Sequence, residues 1–388
     1  MPRINPGIAR WARETAGLDV EEAARRVQIA PASLAAVENG ETEPSRPLLA
    51  RMSRQYHRPL VAFYLSAPPA TASRGVDFRT IPKPDTDDEA VLDALLRDIT
   101  ARQGLLRAGL EFEDEAEPLP FVGSATVEAG VAALVARIRK QTGVDPETYR
   151  RTPSAEASFR LLRERVEAAG VYVVLASDLG SHHTALDMET FRGFALADPV
   201  APFIIINERD SRAAWGFSLV HELAHVWLGA TGVSGGGPPT GPIERFCNDV
   251  ASEFLLPRAE VRELEVGRVR TVGAMAGRIE PFARARRVSR TMVAYGLMRE
   301  SIISAAEYRD LAAHFKAQWQ AGREVARGGG EEAAGGPSYY VLRRQRLGAL
   351  VHTTGRLLAS GALTATKAAR VLGVRAGNVY PLITPSAP

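Results

Sequence analysis

"SLVHELAHVWLG", residues 218–229, sets His221 and His225 four positions apart, with Glu222 beside the first. An α-helix turns about 100° per residue, so positions four apart project from one face. Leu219, Val220, Leu223, Ala224 and Trp227 recur at three- and four-residue spacing, which predicts a helix with a buried apolar side. Two imidazoles on such a helix can grip one metal ion between them. Glu222 stands where a general base for a metal-activated water belongs. A catalytic zinc takes three protein ligands and keeps one position open, so a third donor is required. Downstream lies "IERFCNDVASEFLLP" (243–257), in which Glu244 and Asn248 are four apart. Glu244 is the expected third ligand. Asn248 is placed to accept the second ring N–H of a ligand histidine and fix its tautomer. Glu253 is the rival carboxylate, but nine helical residues place it about 180° round the axis from Glu244.

Elements upstream of this pair are short and apolar. "SAEASFRLLRERVEAAG" (154–170) reads as an amphipathic helix, and "VYVVL" (171–175) as a buried strand. "TFRGFALAD" (190–198) and "FIIINE" (203–208) are two more strands, with the "PVAP" turn between them. A small sheet therefore abuts the histidine helix, which is expected to start near Asp210. "TFRGFALAD" is the expected sheet edge on which an extended peptide would lie. His182 and His183 in "GSHHTALD" are weak candidates for oxyanion stabilisation, since paired loop histidines are more often solvated. "TGVSGGGPPTG" (231–241) reads as a flexible loop.

The N-terminal 65 residues read as four short helices. Asp19 with Glu22 forms a capping-box pattern, Pro31 suits a first helical turn, Gly40 a stop and Ser45 an N-cap. Helix, tight turn, helix is the layout that enters a DNA groove. Trp11, Leu34, Val37 and Leu49 are its core candidates. Ser33 and Asn39 are the polar side chains of the expected reading helix. Arg25, Arg26, Gln28 and Arg46 are candidates for phosphate contact. The footprint is thin: nine arginines against seven acids up to residue 65, a net +2. Two later segments, 279–298 and 363–383, echo the same helix–turn–helix pattern, though such pairs are also common packing units.

The domain plan is 1–65 helix-turn-helix; 66–88 a Pro-, Ser-, Thr- and Asp-rich linker; 89–256 the metal-binding domain; 257–325 helical and helix-turn-helix-like; 326–337 a Gly/Ala/Glu linker; and 338–388 a helical appendix. With 388 residues and 45 % hydrophobic content, two or three globular domains are expected. No apolar run reaches about 18 residues, so no membrane partner is expected. The first residues lack the apolar core of a signal peptide. Cys247 stands alone, which excludes an intrachain disulfide and suits a reducing cytoplasm. No base is placed to activate it, so it reads as a buried structural thiol. The net charge of +3 argues neither for nor against nucleic acid, because clustering is what matters.

"SLVHELAHVWLG" with "ERFCNDVASEFLLP" resembles the ImmA/IrrE metallopeptidases, whose pattern is HExxH followed by E-x-x-(A/C)-N-x-x-A-x-x-L-(L/M)-P. Glu244 falls on that family's third zinc ligand, His221 and His225 on the first two, and Glu222 on its catalytic glutamate. Asn248, Ala251 and Pro257 match as well. "WARETAGLDVEEAARRVQIAPASLAAVENGETEPS" is similar to the Xre (Cro/C1-type) helix-turn-helix family. "RPLVAFYL", "VDFR", "GGPSYY" and "AARVLGV" resemble segments of proteins that fuse the two. The resemblance implies an α+β, mostly α fold: a helix-turn-helix bundle, a zincin-like domain with a small β-sheet around the HExxH helix, and helical C-terminal regions. It implies Zn2+ as cofactor and peptide hydrolysis as the reaction, on a partner repressor or regulatory protein. Operator DNA is the implied partner of the first module, and such repressors often dimerise. The alternative is an antitoxin-type regulator, in which the zincin-like domain binds a toxin from a neighbouring gene without cleaving it.

Overall fold

The computed structural model describes residues 3–69, 76–77, 86–180, 184–234, 241–267, 270–328 and 338–384. Two compact units divide the chain: residues 1–74, 81–100 and 178–186 in the first, the remainder in the second.

The first unit opens with α1 (Pro6–Glu14), α2 (Val20–Val27), α3 (Pro31–Glu38) and α4 (Arg46–Gln55). Asp19 and Ser45 cap their helices as the sequence predicts, but only half of the capping box forms, because the Glu22 carboxylate turns to Arg25 and Arg26. Asp19 accepts from the Glu22 backbone N–H and Ser45 from that of Leu48, each satisfying a donor the helix start leaves orphaned. Gln28 closes α2 in the left-handed region, φ 59° and ψ 52°, where glycine would be the unstrained choice. Leu34, Val37, Leu49, Met52 and Tyr56 fill the core, and Trp11 packs on its border under the Arg58 guanidinium. One charge pair is buried there: Arg13 grips Glu38 through two parallel hydrogen bonds of 2.8 and 2.9 Å and gives its third nitrogen to the Leu18 carbonyl.

The second unit is a five-stranded sheet wrapped in helices. Its strands are β1 (Val76–Asp77), β2 (Tyr172–Leu175), β3 (Gly193–Leu196), β4 (Phe203–Ile206) and β5 (Gly232–Ser234), in the order β1-β5-β3-β4-β2. The β3 strand is antiparallel to both neighbours, with Phe194 opposite Ile205 on one side and Val233 on the other. Outer pairs are parallel, β2 with β4 and β1 with β5. The apolar runs "YVVL", "GFAL" and "FIII" lie buried on both faces, which is why they do not alternate with polar residues.

The helices, in chain order, are α5 (Thr86–Phe112, of which residues 101–112 belong to this unit), α6 (Val131–Thr142), α7 (Pro146–Arg150), α8 (Ala155–Ala168), α9 (Trp215–Leu228), α10 (Pro242–Leu255), α11 (Arg258–Arg262), α12 (Val272–Arg286), α13 (Arg290–Arg299) and α14 (Ala305–Gly328). The C-terminal helices are α15 (Tyr339–Leu347), α16 (Ala349–Ala359), α17 (Ala365–Leu372) and α18 (Val379–Ile383). The α9 helix crosses one face of the sheet and pairs with α10; one continuous apolar core joins Val173, Ala195, Ile204, Leu219, Leu223, Val250 and Phe254. Among the described residues no helix is long and apolar enough to cross a membrane.

Three sequence expectations need correction. "TFRGFALAD" is no edge: its strand, β3, is the middle of the sheet, hydrogen-bonded on both sides. The glycine-rich loop after the histidine helix begins with strand β5, which pairs with β1 from the 66–88 segment, read from its sequence as a linker or a draped arm. The histidine helix begins at Trp215, not near Asp210, because Asn207 holds the intervening turn: its side chain accepts from the Arg209 N–H and donates to the Asp187 and Phe191 carbonyls.

Candidate metal centre

All residues of α9 from Ser218 to Trp227 are buried, so its polar side chains reside in the core by design of the packing around them. Close approach on two sides fixes the helix. A Cβ on Gly216 would stand 2.2 Å from the Tyr149 hydroxyl, and one on Gly229, the left-handed C-cap at φ 68°, would stand 3.0 Å from Gly123 Cα. His221 and His225 then face α10. Their Nε2 atoms lie 3.2 Å apart. Glu244, in the first turn of α10, brings Oε1 to 2.9 Å from His225 Nε2 and Oε2 to 3.4 Å from His221 Nε2. Exposure is 4 % for His221, 0 % for His225 and 4 % for Glu244.

Those separations, made through the two oxygens of one carboxylate, are close to what three ligands of one metal ion require. Ligands at about 2.0–2.1 Å in a tetrahedron stand about 3.3–3.4 Å from one another. Two nitrogens and one carboxylate oxygen are the donor set of a catalytic rather than a sealed structural site. Among the described residues, His221, His225 and Glu244 form the group of His, Cys, Asp or Glu side chains that could hold a metal ion. Glu253 is elsewhere, its carboxylate accepting from the Arg258 N–H, as its helical phase requires.

Electrostatics separate the two glutamates. Burial drives the Glu222 carboxyl up to about 8, with Glu244 adding to the rise and His221 only partly opposing it. Burial also acts on Glu244, but the two imidazoles outweigh it and hold that carboxyl at about 2. His221 is raised because Glu244 overcomes its burial, whereas burial and His221 together lower His225. Glu222 Oε2 is buried with no hydrogen-bond partner, an atom left for something outside the protein chain.

Several neighbours were not evident in the sequence. Ser234 on β5 brings its hydroxyl to 3.1 Å from His221 Nε2 and also hydrogen-bonds the Glu222 carboxylate. Gly193 on β3 leaves the space that Glu222 occupies: a Cβ there would stand 2.8 Å from Oε1. Phe217 stacks on the His221 ring, centroids 6.2 Å apart. Asn248, the expected partner of a ligand histidine, also reaches the His221 ring. His182 and His183 lie outside the described residues. Cys247 is buried and free, with its thiol pushed well up by that burial, which suits packing rather than chemistry.

The candidate DNA contacts Arg25, Arg26, Gln28, Ser33 and Arg46 are all exposed. Glu22 pairs with both Arg25 and Arg26, so two of the three arginines meet a carboxylate on their own helix. Asn39 accepts from Arg10 and donates to Glu41, which withdraws it from base reading.

Residues 166–298 match the family described as the IrrE N-terminal-like domain, peptidase family M78. Residues 10–63 match the helix-turn-helix family. The two matches fall on the segments whose sequences resemble those two families, in the order of the fusion. No curated protein and no solved structure matches the chain.

Proposed function

We propose that this protein is a zinc-dependent regulatory endopeptidase, brought to operator DNA by its helix-turn-helix domain, that cleaves a partner repressor or regulatory protein. The observation that carries this reading is the triangle of His221, His225 and Glu244 donors, with Glu222 on the same helix and one of its oxygens unpartnered. A bound zinc ion supplies Lewis acidity to the scissile carbonyl and to a nearby water. Glu222 does the proton work. Its Oε2, the oxygen with no hydrogen-bond partner, takes the proton of the attacking water and delivers it to the departing amine. Ser234 orients the other side of that carboxylate, Gly193 makes room for it, and Phe217 holds the His221 plane.

The test is Glu222→Gln. It is expected to keep zinc, fold and DNA binding while slowing cleavage by about 10²- to 10⁴-fold, the usual contribution of a general base. A second reading rests on burial: none of His221, Glu222, His225 and Glu244 is more than 4 % exposed. That closure favours an antitoxin-type regulator whose zincin-like domain binds a toxin without cutting it. Wild-type protein that cleaves no neighbouring-gene product, with repression surviving Glu222→Gln, would decide for this second reading.

A further inference from the structure

The second echo of the helix–turn–helix pattern, at the C-terminus, reproduces the cap and turn of the first, although its second element is a 3-10 turn (Ala376–Asn378) followed by the short α18 in place of the eight-residue α3. Adding 345 to each residue number superposes the two, Asp19 onto Thr364 and Leu34 onto Val379. Asp19 caps α2 by accepting from the third N–H along, and Thr364 caps α17 likewise. Gln28 closes α2 at φ 59° and ψ 52°; Gly373 closes α17 at φ 61° and ψ 39°. The Ile29 N–H donates to the Ala24 carbonyl at 3.0 Å, the Val374 N–H to that of Ala369 at 2.9 Å. Ala30 and Arg375 then adopt the same extended backbone, and the next turn begins with Ser33 N–H to Ala30 and Asn378 N–H to Arg375, both 2.9 Å. The buried set corresponds too: Ala23, Ala24, Val27, Leu34 and Val37 against Ala368, Ala369, Leu372, Val379 and Leu382.

The outward residues differ most, and not all in one direction: Glu21 and Glu22 give way to Thr366 and Lys367, whereas Arg26 and Gln28 give way to Val371 and Gly373. Where the first copy presents Glu22, Ala30, Ser33 and Ala35, the second presents Lys367, Arg375, Asn378 and Tyr380. Lys367 and Arg375 are exposed, and among the described residues neither makes an ion pair. Tyr380 is 58 % exposed on α18. Residues 338–384 carry seven basic side chains and no acidic one, against a net +2 over the first 65 residues. Two of the seven, Arg346 and Arg356, pair with Glu208 and Glu115. The middle echo shares the left-handed closure, at Arg287, and the Val288 N–H to Ala283 bond, but not the exposed basic face: α13 is largely buried, and Glu280 engages both Arg284 and Arg290.

We propose that residues 338–384 are a second duplex-DNA-binding module, with the 376–383 segment as its reading element and Lys367 and Arg375 on phosphates. It is independent of the DNA contacts assigned to α2 and α3. Phosphate contacts release counterions, so each lost contact lowers the log–log salt slope by about 0.9. Fluorescence anisotropy of a labelled mixed-sequence duplex, titrated with full-length protein over a series of KCl concentrations, reads this directly. Lys367→Ala with Arg375→Ala is expected to weaken binding several-fold and to flatten the slope by about two. Lys367→Arg with Arg375→Lys is expected to restore wild-type behaviour, and Arg160→Ala, at an exposed position of α8, to change nothing. Arg25→Ala with Arg26→Ala reads the N-terminal module separately, so failure of one assignment does not disguise failure of the other. An unchanged slope in the Lys367/Arg375 double variant, or equal affinity for single strands, would overturn the proposal. The first of these is also the outcome expected if the face, with its exposed Tyr339, Leu342 and Tyr380, docks a protein instead.

Discussion

At the scale of single residues, three donors do different work although all three are buried. His221 and His225 are fixed by the helix that carries them, whereas Glu244 comes from another element and closes the set. Removing it leaves two imidazoles, fewer than a catalytic zinc normally takes from protein. Glu244→Ala is therefore expected to lower zinc content, measured by elemental analysis after dialysis, from about one per chain to near none. Loss of a ligand should exceed the about 10- to 100-fold cost of losing an outer hydrogen bond. Glu253→Ala is the control and should retain the metal; zinc lost there and kept in Glu244→Ala would reverse the ligand assignment. The donors could be read from the sequence because helical phase is local: four residues link His221 to His225, and nine separate Glu253 from the face of Glu244. Ser234 and Gly193 could not, since their approach to Glu222 depends on strands 30 and more residues apart in the chain lying side by side.

At the scale of elements, the helices were legible and the sheet order was not. Caps such as Asp19, Ser45, Ser154 and Thr364 announce helix starts because the orphan N–H groups they satisfy are three residues away. Strand neighbours are chosen by pairing that no short-range pattern encodes, so β3 was read as an edge, and β1 and β5 were hidden in segments rich in proline and glycine. Placement of α9 depends on one such distant contact, between Gly216 and Tyr149. A methyl group at position 216 would meet the buried hydroxyl at 2.2 Å. Gly216→Ala is expected to cost about 1–3 kcal/mol through overpacking, seen as a fall in Tm of several degrees. Adding Tyr149→Phe removes the clashing oxygen. The double variant should be more stable than the sum of the two single effects, and strict additivity in this cycle would show that the two positions do not press on each other.

At the scale of the whole molecule, the two compact units depend on different things. The N-terminal bundle is held by an apolar core and the enclosed Arg13–Glu38 pair. The other unit gathers two histidines and two glutamates inside its core. Burying ionisable groups is costly unless something compensates them. A cation at His221, His225 and Glu244 would compensate, and because the unfolded chain does not preserve that arrangement, its binding free energy adds to folding stability. A ligand at about 1,000 times its dissociation constant contributes about 4 kcal/mol. For a unit of this size that corresponds to a shift on the order of 10 °C. Scanning calorimetry of the full chain should accordingly resolve a transition that falls by about this amount when a chelator strips the metal and recovers on adding zinc. The helix-turn-helix transition should stay where it is, and Glu244→Ala should unfold at the chelated position whether or not zinc is present. Identical transitions with and without chelator, in protein shown by elemental analysis to have lost its zinc, would mean that this core tolerates its buried charges unaided and that the metal, when bound, serves chemistry alone.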